Sequence, residues 1–370
     1  TDNQSGQVEK PHFIKNIEKM NYMNRLKATT LLTLGMIMTS ISFAQDSIVQ
    51  ATILDSADVQ ADKIYNSGIK EYQNKNYKAA INDFTKSLEL RADFEPAYFN
   101  RAICKSEDGD LPGAIADFDK SIAYAAVNEE TWYLRGQAKY KSNDSEGAFA
   151  DFNQTTKLKP NHAQAHYYKG VINFEAKDYK RAIEDFTKAV NADKRHAYAY
   201  NDRGSAKRQM DNIDGAIIDY NKALLIDNKM AFTHNNLGSA LRKKGDLKGA
   251  LMSYSKAISL DNKYYIAYNN RGSVYFDSGD YQEAIEDFSK TVELKADYAF
   301  AYNNRASAKF KLKDYKGCIE DCSKAIEIDP NYPYAYQNRG NAKELMRDDL
   351  GACADWKMAD ELGAEGVKSF

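Results

Sequence analysis

The chain has 370 residues, and 51 Lys and Arg against 53 Asp and Glu leave a formal net charge of −2. A hydrophobic fraction of 43% is enough to build a core and argues against a mostly disordered chain. The near-neutral balance offers no basic excess with which to neutralise phosphates, so nucleic acid is not an expected partner. Twenty-six Tyr and 16 Phe against only 6 Pro indicate long, aromatic-rich helices.

The N-terminal segment begins with Thr1, and residues 1–22 are interpreted as an extension or a non-coding stretch. Residues 23–44 show the pattern of a secretory signal peptide: basic Arg25 and Lys27, an uncharged apolar stretch, and small residues before an expected cut after Ala44. The apolar stretch is shorter than the roughly 20 residues of a membrane span. This pattern predicts an exported protein, periplasmic or secreted. The alternative is an uncleaved N-terminal helix that anchors the chain to a membrane.

Residues 45–60 carry no repeat signature and are predicted to be a short linker. From Ala61 onward the chain divides without a gap into nine blocks of 34 residues. The blocks are 61–94, 95–128, 129–162, 163–196, 197–230, 231–264, 265–298, 299–332 and 333–366, followed by a tail at 367–370.

The smallest side chains recur at two positions of the block. Position 8 is always Gly or Ala, and position 20 is Ala in every block except the eighth, which has Cys318. Such restriction indicates that two helices touch closely there, because a larger side chain would hold their backbones apart. Position 4 is mostly aromatic and position 24 is aromatic in eight blocks, so these rings are expected to fill the space around the contact. Each block is therefore predicted to be a helical hairpin.

These positions resemble the tetratricopeptide repeat, which has a 34-residue period, an aromatic residue at 4, a small residue at 8, Ala at 20 and an aromatic residue at 24. The resemblance covers 306 of the 370 residues. It implies an all-α fold, an α-α superhelix or solenoid of nine hairpins, whose first helices line a concave groove. The Pro that the family often has near the block end occurs here only as Pro160 and Pro330.

Opposite charges recur together at positions 7 and 23. Position 7 is a cation in seven blocks, position 23 is Asp in eight, and the sixth block lacks both, with Leu237 and Ser253. The joint loss predicts structural ion pairs, in which an Arg fork binds a partly desolvated carboxylate. The alternative is that the Arg residues bind an acidic ligand. Whether each pair lies within a block or between blocks is left open by the pattern. The predicted pairs are Arg101 with Asp117, Arg135 with Asp151, Arg203 with Asp219, Arg271 with Asp287, Arg305 with Asp321, and Arg339 with Asp355.

Amide side chains recur at position 6 of four successive blocks, as Asn236, Asn270, Asn304 and Asn338. An Asn side chain can pair with both backbone groups of an extended peptide, whatever the sequence of that peptide. The row is similar to the asparagine ladder of O-linked N-acetylglucosamine transferases, which implies a peptide-binding role. The alternative is a local hydrogen bond to neighbouring backbone or to the adjacent helix.

Two further positions change character along the chain. Position 5 is aromatic in the first four blocks and an amide afterwards, whereas position 2 becomes aromatic or apolar from the fifth block onward. If both face the groove, as the resemblance implies, they extend the peptide-binding surface. Packing between neighbouring blocks is the alternative for position 2. The added candidates are Asn201, Asn235, Asn269, Asn303, Tyr198, Phe232, Phe300 and Tyr334.

The four cysteines do not form a pattern typical of a metal site or of a catalytic site. Cys104, Cys318, Cys322 and Cys353 occupy positions that are apolar or aromatic in other blocks, which indicates core packing, and Cys322 with Cys353 is the pair most worth testing as a disulfide. The pattern predicts no metal site and no cofactor, and no catalytic motif is present.

The sequence thus predicts a non-enzymatic scaffold that binds a partner protein, or an extended segment of one, in its groove. The alternative is a structural subunit of a cell-envelope assembly that uses its edges or convex face. A clamp for the acidic tail of a chaperone would need Lys at positions 2 and 5, where none occurs.

Overall fold

The computed structural model describes the backbone of residues 44–364 and side chains from residue 57 onward. The predicted extension, signal peptide and tail lie outside the described residues. No described helix has both the length and the apolar character that a membrane crossing requires.

Every regular element in residues 44–364 is an α-helix, and the helices alternate as the first and second members of hairpins. The first members are α1 Ala44–Gln73, α3 Glu95–Asp108, α5 Glu129–Lys141, α7 Ala163–Glu175, α9 Ala197–Gln209, α11 Ala231–Lys244, α13 Tyr265–Ser278, α15 Ala299–Lys311 and α17 Pro333–Leu345. The second members are α2 Tyr77–Leu90, α4 Leu111–Tyr124, α6 Ser145–Leu158, α8 Tyr179–Ala192, α10 Ile213–Ile226, α12 Leu247–Leu260, α14 Tyr281–Leu294, α16 Tyr315–Ile328 and α18 Asp349–Glu361. The predicted solenoid of nine helical hairpins is confirmed, and hairpins are numbered here by their blocks.

The segment at 45–60, predicted to be a linker, lies within helix α1, which runs from Ala44 to Gln73. No Gly or Pro interrupts the sequence between Ala44 and Ser67, so nothing in it favours ending the helix. The compact unit that contains the repeats begins at Gln60.

The turn inside each hairpin is built from two neighbouring residues. Position 15 has a positive φ in every hairpin, for example 62° at Lys75 and 88° at Gly245. The Asp or Asn at position 16 then caps the second helix in seven hairpins, with a side-chain oxygen that accepts a hydrogen bond from the backbone N–H of position 19. Each such cap contributes about 1 kcal/mol, so the start of the second helix is well defined.

The core contact of each hairpin lies between positions 8 and 24, as the small residues predicted. A Cβ added to any Gly at position 8 would lie only 2.6–2.9 Å from a ring atom of position 24 in the same hairpin. Position 20 is fully buried in all nine hairpins. In hairpin 8 the residue at position 8 is Ala306, and there position 24 is the smaller Cys322. Hairpin 2 holds Ala102 opposite the full-sized Phe118, so an Ala at position 8 does not always require a small residue at position 24.

Successive hairpins stack so that their first helices approach each other. Each second helix packs on the first helix of the following hairpin, and most neighbouring first helices also touch, as α9 touches α11 and α13 touches α15. Neighbouring second helices in the described chain make no comparable contacts. The first helices therefore form one face of the stack, on which positions 2 and 6 lie.

Candidate binding surface of the first helices

The amide row at position 6 is joined to position 5 of the preceding hairpin. Asn270 Nδ2 donates to Asn235 Oδ1 at 2.9 Å, and Asn304 Nδ2 donates to Asn269 Oδ1 at 3.1 Å. The same bond, at 3.2 and 2.9 Å, joins Asn236 to Asn201 and Asn338 to Asn303. Each bond spans 35 residues, so it connects two adjacent first helices. The local interpretation of the Asn row is thus correct for one of its donors.

The position-5 amides lie inside the stack and not on the groove surface. Asn201, Asn235, Asn269 and Asn303 are only 2–8% exposed. Their assignment to the groove surface from the sequence is therefore wrong, because each fills the space between two helices and accepts the hydrogen bond from position 6. They support the row without presenting a face to a partner.

The position-6 amides keep unused hydrogen-bonding capacity. Asn236, Asn270, Asn304 and Asn338 are all half-buried. In Asn236, Asn270 and Asn304, one Nδ2 hydrogen and the Oδ1 acceptor make no hydrogen bond to a described residue, whereas Asn338 also donates to Ser307 at 3.1 Å. Because the interhelix bond fixes the orientation of each amide, the remaining donor and acceptor are held in place at a regular period.

In the N-terminal half the same two positions are joined by other pairs. Asn100 Nδ2 donates to Tyr65 Oη at 2.8 Å, and Tyr167 Oη donates to Asp202 Oδ2 at 2.9 Å. Burial raises the pKa of the Asp202 carboxyl to about 6, although hydrogen bonds from Tyr167 and Asn201 oppose the shift. Positions 5 and 6 are hydrogen-bonding partners at six of the eight hairpin boundaries; the exceptions are Phe99 with Leu134 and Tyr133 with Tyr168.

The position-2 aromatics divide between packing and exposure. Tyr198 and Phe232 stack on each other, with ring centroids 5.9 Å apart. Phe300 and Tyr334 are about half exposed and both contact Tyr332, at 4.9 and 6.2 Å between ring centroids. The C-terminal hairpins thus present aromatic surface close to the amide row.

The predicted ion pairs form, and all six lie within their own hairpins. In each, the Arg Nε and Nη2 atoms donate to the two carboxylate oxygens at 2.6–2.9 Å. The Arg Nη1 atom reaches position 25 of the preceding hairpin, as Arg203 reaches Thr187 at 3.1 Å. One guanidinium therefore ties three helices together.

The sequence analysis missed a second cation in this network. In five hairpins a Lys at position 11 lies 2.7–3.0 Å from the same carboxylate, as Lys207 does from Asp219. Position 11 is Leu241 in hairpin 6, where positions 7 and 23 are also uncharged. The sequence contained the evidence for this second cation, because the Lys at position 11 lies one helical turn after the cation at position 7.

The cysteines are all free thiols. Cys104, Cys318 and Cys322 are buried, whereas Cys353 is exposed, so the suggested pairing of Cys322 with Cys353 is not formed. Cys318 and Cys322 have their sulfur atoms 4.0 Å apart on one helix. In the described part of the chain, no cluster of His, Cys, Asp and Glu could hold a metal ion.

Family comparisons agree with the repeats. Models described as tetratricopeptide repeat match residues 133–199, 197–230, 265–298 and 299–332, and a further model, described as TPR repeat, matches residues 238–279. The chain therefore carries tetratricopeptide repeats. A search among curated proteins gives no match.

Two solved structures with TM-scores above 0.5 share this architecture. A tetratricopeptide repeat protein from Parabacteroides merdae is 16% identical over 64% of this chain and 94% of that chain, with a TM-score of 0.52. The Cut9–Hcn1 hetero-tetramer of APC/C matches at 15% identity over 83% of this chain and 74% of that chain, also with a TM-score of 0.52. MamA from Desulfovibrio magneticus is 26% identical over 46% of this chain and 96% of that chain, with a TM-score of 0.43.

Proposed function

We propose that the chain is a protein-interaction scaffold that binds an extended peptide segment along the first helices of hairpins 6 to 8. The observation that carries this proposal is the free donor and free acceptor on each of Asn236, Asn270 and Asn304, at the same place in three successive hairpins. An extended peptide backbone offers the complementary pair of groups, so such a row binds main chain rather than a particular sequence.

The aromatic surface beside the row would contribute affinity. Phe300 and Tyr334 are about half exposed, and apolar side chains of a peptide could cover them. Rigid aromatic rings lose little conformational freedom on binding, which makes them effective anchors. The proposed scaffold thus combines sequence-independent main-chain recognition with an exposed aromatic surface of modest selectivity.

Export to the periplasm or the exterior remains part of the proposal, and it rests on the pattern at residues 23–44. The alternative function is a structural subunit of an envelope assembly that uses its edges or convex face. These two functions differ in whether the free amides of position 6 matter for association.

A peptide-display selection on immobilised residues 45–370 would test the proposal. Selected peptides are expected to bind the variant N236A/N270A/N304A at least tenfold more weakly than the parent, since several hydrogen bonds are lost together. The comparison variant is N235A/N269A, which keeps the surface amides but removes the bonds that orient Asn270 and Asn304, so it should weaken binding less than the position-6 variant does. N-methylation of the peptide backbone should weaken binding to the parent in the same way.

Equal binding by the parent and the position-6 variant, at equal helicity, would contradict the peptide-groove proposal. If the comparison variant loses binding as strongly as the position-6 variant, the amides act only through the stability of the stack. Either result would favour the structural-subunit function.

A further inference from the structure

Hairpin 4 lacks a pair of side chains that six other hairpins share at positions 4 and 7. In six hairpins the Arg at position 7 lies over the aromatic ring at position 4, with its guanidinium carbon 4.7–5.7 Å from the ring centroid. Hairpin 4 has His166 and Lys169 at these positions instead. A smaller ring and an unbranched ammonium fill less volume than an aromatic ring with a guanidinium fork.

A cavity of about 370 Å³ lies where that volume is missing. It is bounded on one side by the end of hairpin 3, including Thr156 and Asn161, and on the other by His166, Lys169 and Lys188 of hairpin 4. These residues lie near the turn between hairpins 3 and 4 and include no position-6 amide, so the cavity is separate from the proposed peptide-binding row.

The cations of this cavity are incompletely neutralised. Lys169 Nζ and Lys188 Nζ lie 3.5 and 3.6 Å from one oxygen of Asp185, so two ammonium groups share one carboxylate at long distances. Six other hairpins hold the equivalent carboxylate at 2.6–2.8 Å from Arg. Lys169 is also 92% buried, as its 8% exposure shows, and a buried ammonium is stable only with an anionic partner.

The imidazole in the cavity wall is also incompletely satisfied. His166 Nε2 lies 2.9 Å from the carbonyl oxygen of Pro160, whereas His166 Nδ1 is buried without a hydrogen-bond partner. His166 is only 7% exposed, so water in bulk solvent does not supply that partner. Because Nε2 donates its hydrogen to the Pro160 carbonyl, Nδ1 of the neutral ring is an acceptor and contributes no donor to an anion, so the anion-binding capacity of the cavity rests on its two ammonium groups.

We propose that this cavity binds a small oxyanion, either an inorganic phosphate or the carboxylate of a small acid, between Lys169 and Lys188. An ammonium on each side gives charge-assisted hydrogen bonds to the oxygen atoms, and the side-chain amides of Asn161 and Asn191 offer neutral donors around them. Binding would complete the interface between hairpins 3 and 4, which the Arg fork completes elsewhere. The inference is independent of the peptide-binding proposal.

Calorimetric titration of residues 45–370 with inorganic phosphate, and separately with acetate, would test the proposal and distinguish the two oxyanions. Saturable binding of at least one of them is expected. The variant K188Q should weaken it about tenfold or more, because it removes one charge-assisted contact. The matched control is K222Q, which removes the Lys from the same position of hairpin 5, where Arg203 and Tyr200 occupy the corresponding space.

A second variant tests the origin of the cavity. H166Y/K169R installs the residues that hairpin 5 has at positions 4 and 7, so it should close the cavity and abolish binding while keeping or raising the thermal midpoint. The proposal is overturned if neither anion binds at millimolar concentration, if K188Q and K222Q weaken binding equally, or if H166Y/K169R folds and still binds with parental affinity.

Discussion

Arg203 and Asp219 form a bidentate ion pair across hairpin 5, with Nε 2.8 Å from Oδ2 and Nη2 2.7 Å from Oδ1. Lys207 Nζ lies 2.7 Å from the same Oδ2 atom, and the Asp219 side chain is only 1% exposed. Hairpin 6 has Leu237, Leu241 and Ser253 at the three equivalent positions. The same positions are therefore charged in hairpin 5 and uncharged in hairpin 6.

Removing the carboxylate alone should therefore lower the free energy of unfolding much more than replacing all three charged residues together. We expect D219S to destabilise the array by about 3–5 kcal/mol, because it leaves two cations partly buried without an anion. The triple variant R203L/K207L/D219S, which copies hairpin 6, should recover at least half of that loss. Urea denaturation followed by circular dichroism measures both. A triple variant no more stable than D219S would show that the uncharged arrangement depends on other residues of hairpin 6.

The contact between Gly238 and Tyr254 predicts that the effect of G238A on the free energy of unfolding depends on the residue at position 254. A Cβ on Gly238 would lie 2.8 Å from the Tyr254 ring, and that ring is held by a 3.0 Å hydrogen bond from its hydroxyl to Ser239. G238A should therefore destabilise the parent by about 1–3 kcal/mol through overpacking. In a Y254C background, which copies the small pair of hairpin 8, G238A should instead stabilise by about 1 kcal/mol through helix propensity. Urea midpoints of the four proteins test this, and the same sign in both backgrounds would contradict it.

The buried carboxyl of Asp202 predicts a pH-dependent stability. Its pKa is raised from 3.8 to about 6, so the folded chain holds this proton more tightly than the unfolded chain. The native state consequently loses stability as the pH rises from about 4 to about 6, and the penalty is fully present above that range. D202N should abolish the penalty and match the Asn found at position 6 of later hairpins.

The gain from D202N should thus be larger at pH 7.5 than at pH 4.5. We expect the difference to be on the order of 1 kcal/mol, less than the full shift implies, because Asp202 is partly exposed. Denaturation midpoints of the parent and D202N at both pH values would measure it. An equal difference at the two pH values would mean that Asp202 is already ionised at the lower one.

The thiols should differ sharply in reactivity. Cys353 is exposed, whereas burial raises the pKa of the Cys104 thiol to about 12, and Cys318 and Cys322 are both fully buried. In a native sample, one thiol is expected to react rapidly with an aromatic disulfide reagent and the other three only on unfolding. C353S should eliminate the fast phase. Two fast thiols in the parent would contradict the burial of the helix α16 pair.

Much of the fold follows from the 34-residue period alone. A small residue at position 8 facing an aromatic residue at position 24 is the same contact repeated, and each hairpin makes it locally. The ion pairs were equally visible, because Arg203 and Asp219 belong to one hairpin and disappear together in hairpin 6. The N-terminal extension of helix α1 beyond the first repeat was not predicted. A segment that lacks Gly and Pro does not by itself show whether it continues the neighbouring helix.

Contacts between hairpins required the tertiary structure. The sequence assigned both Asn235 at position 5 and Asn270 at position 6 to the surface that faces a partner. Stacking offsets adjacent first helices by one residue beyond the repeat, so position 6 meets position 5 across the boundary at a separation of 35 residues. That offset buries one amide and leaves the other half-exposed. By itself the sequence determined each hairpin, because its contacts are local; only the stack decided which polar atoms remain free, because that depends on how neighbouring helices approach one another.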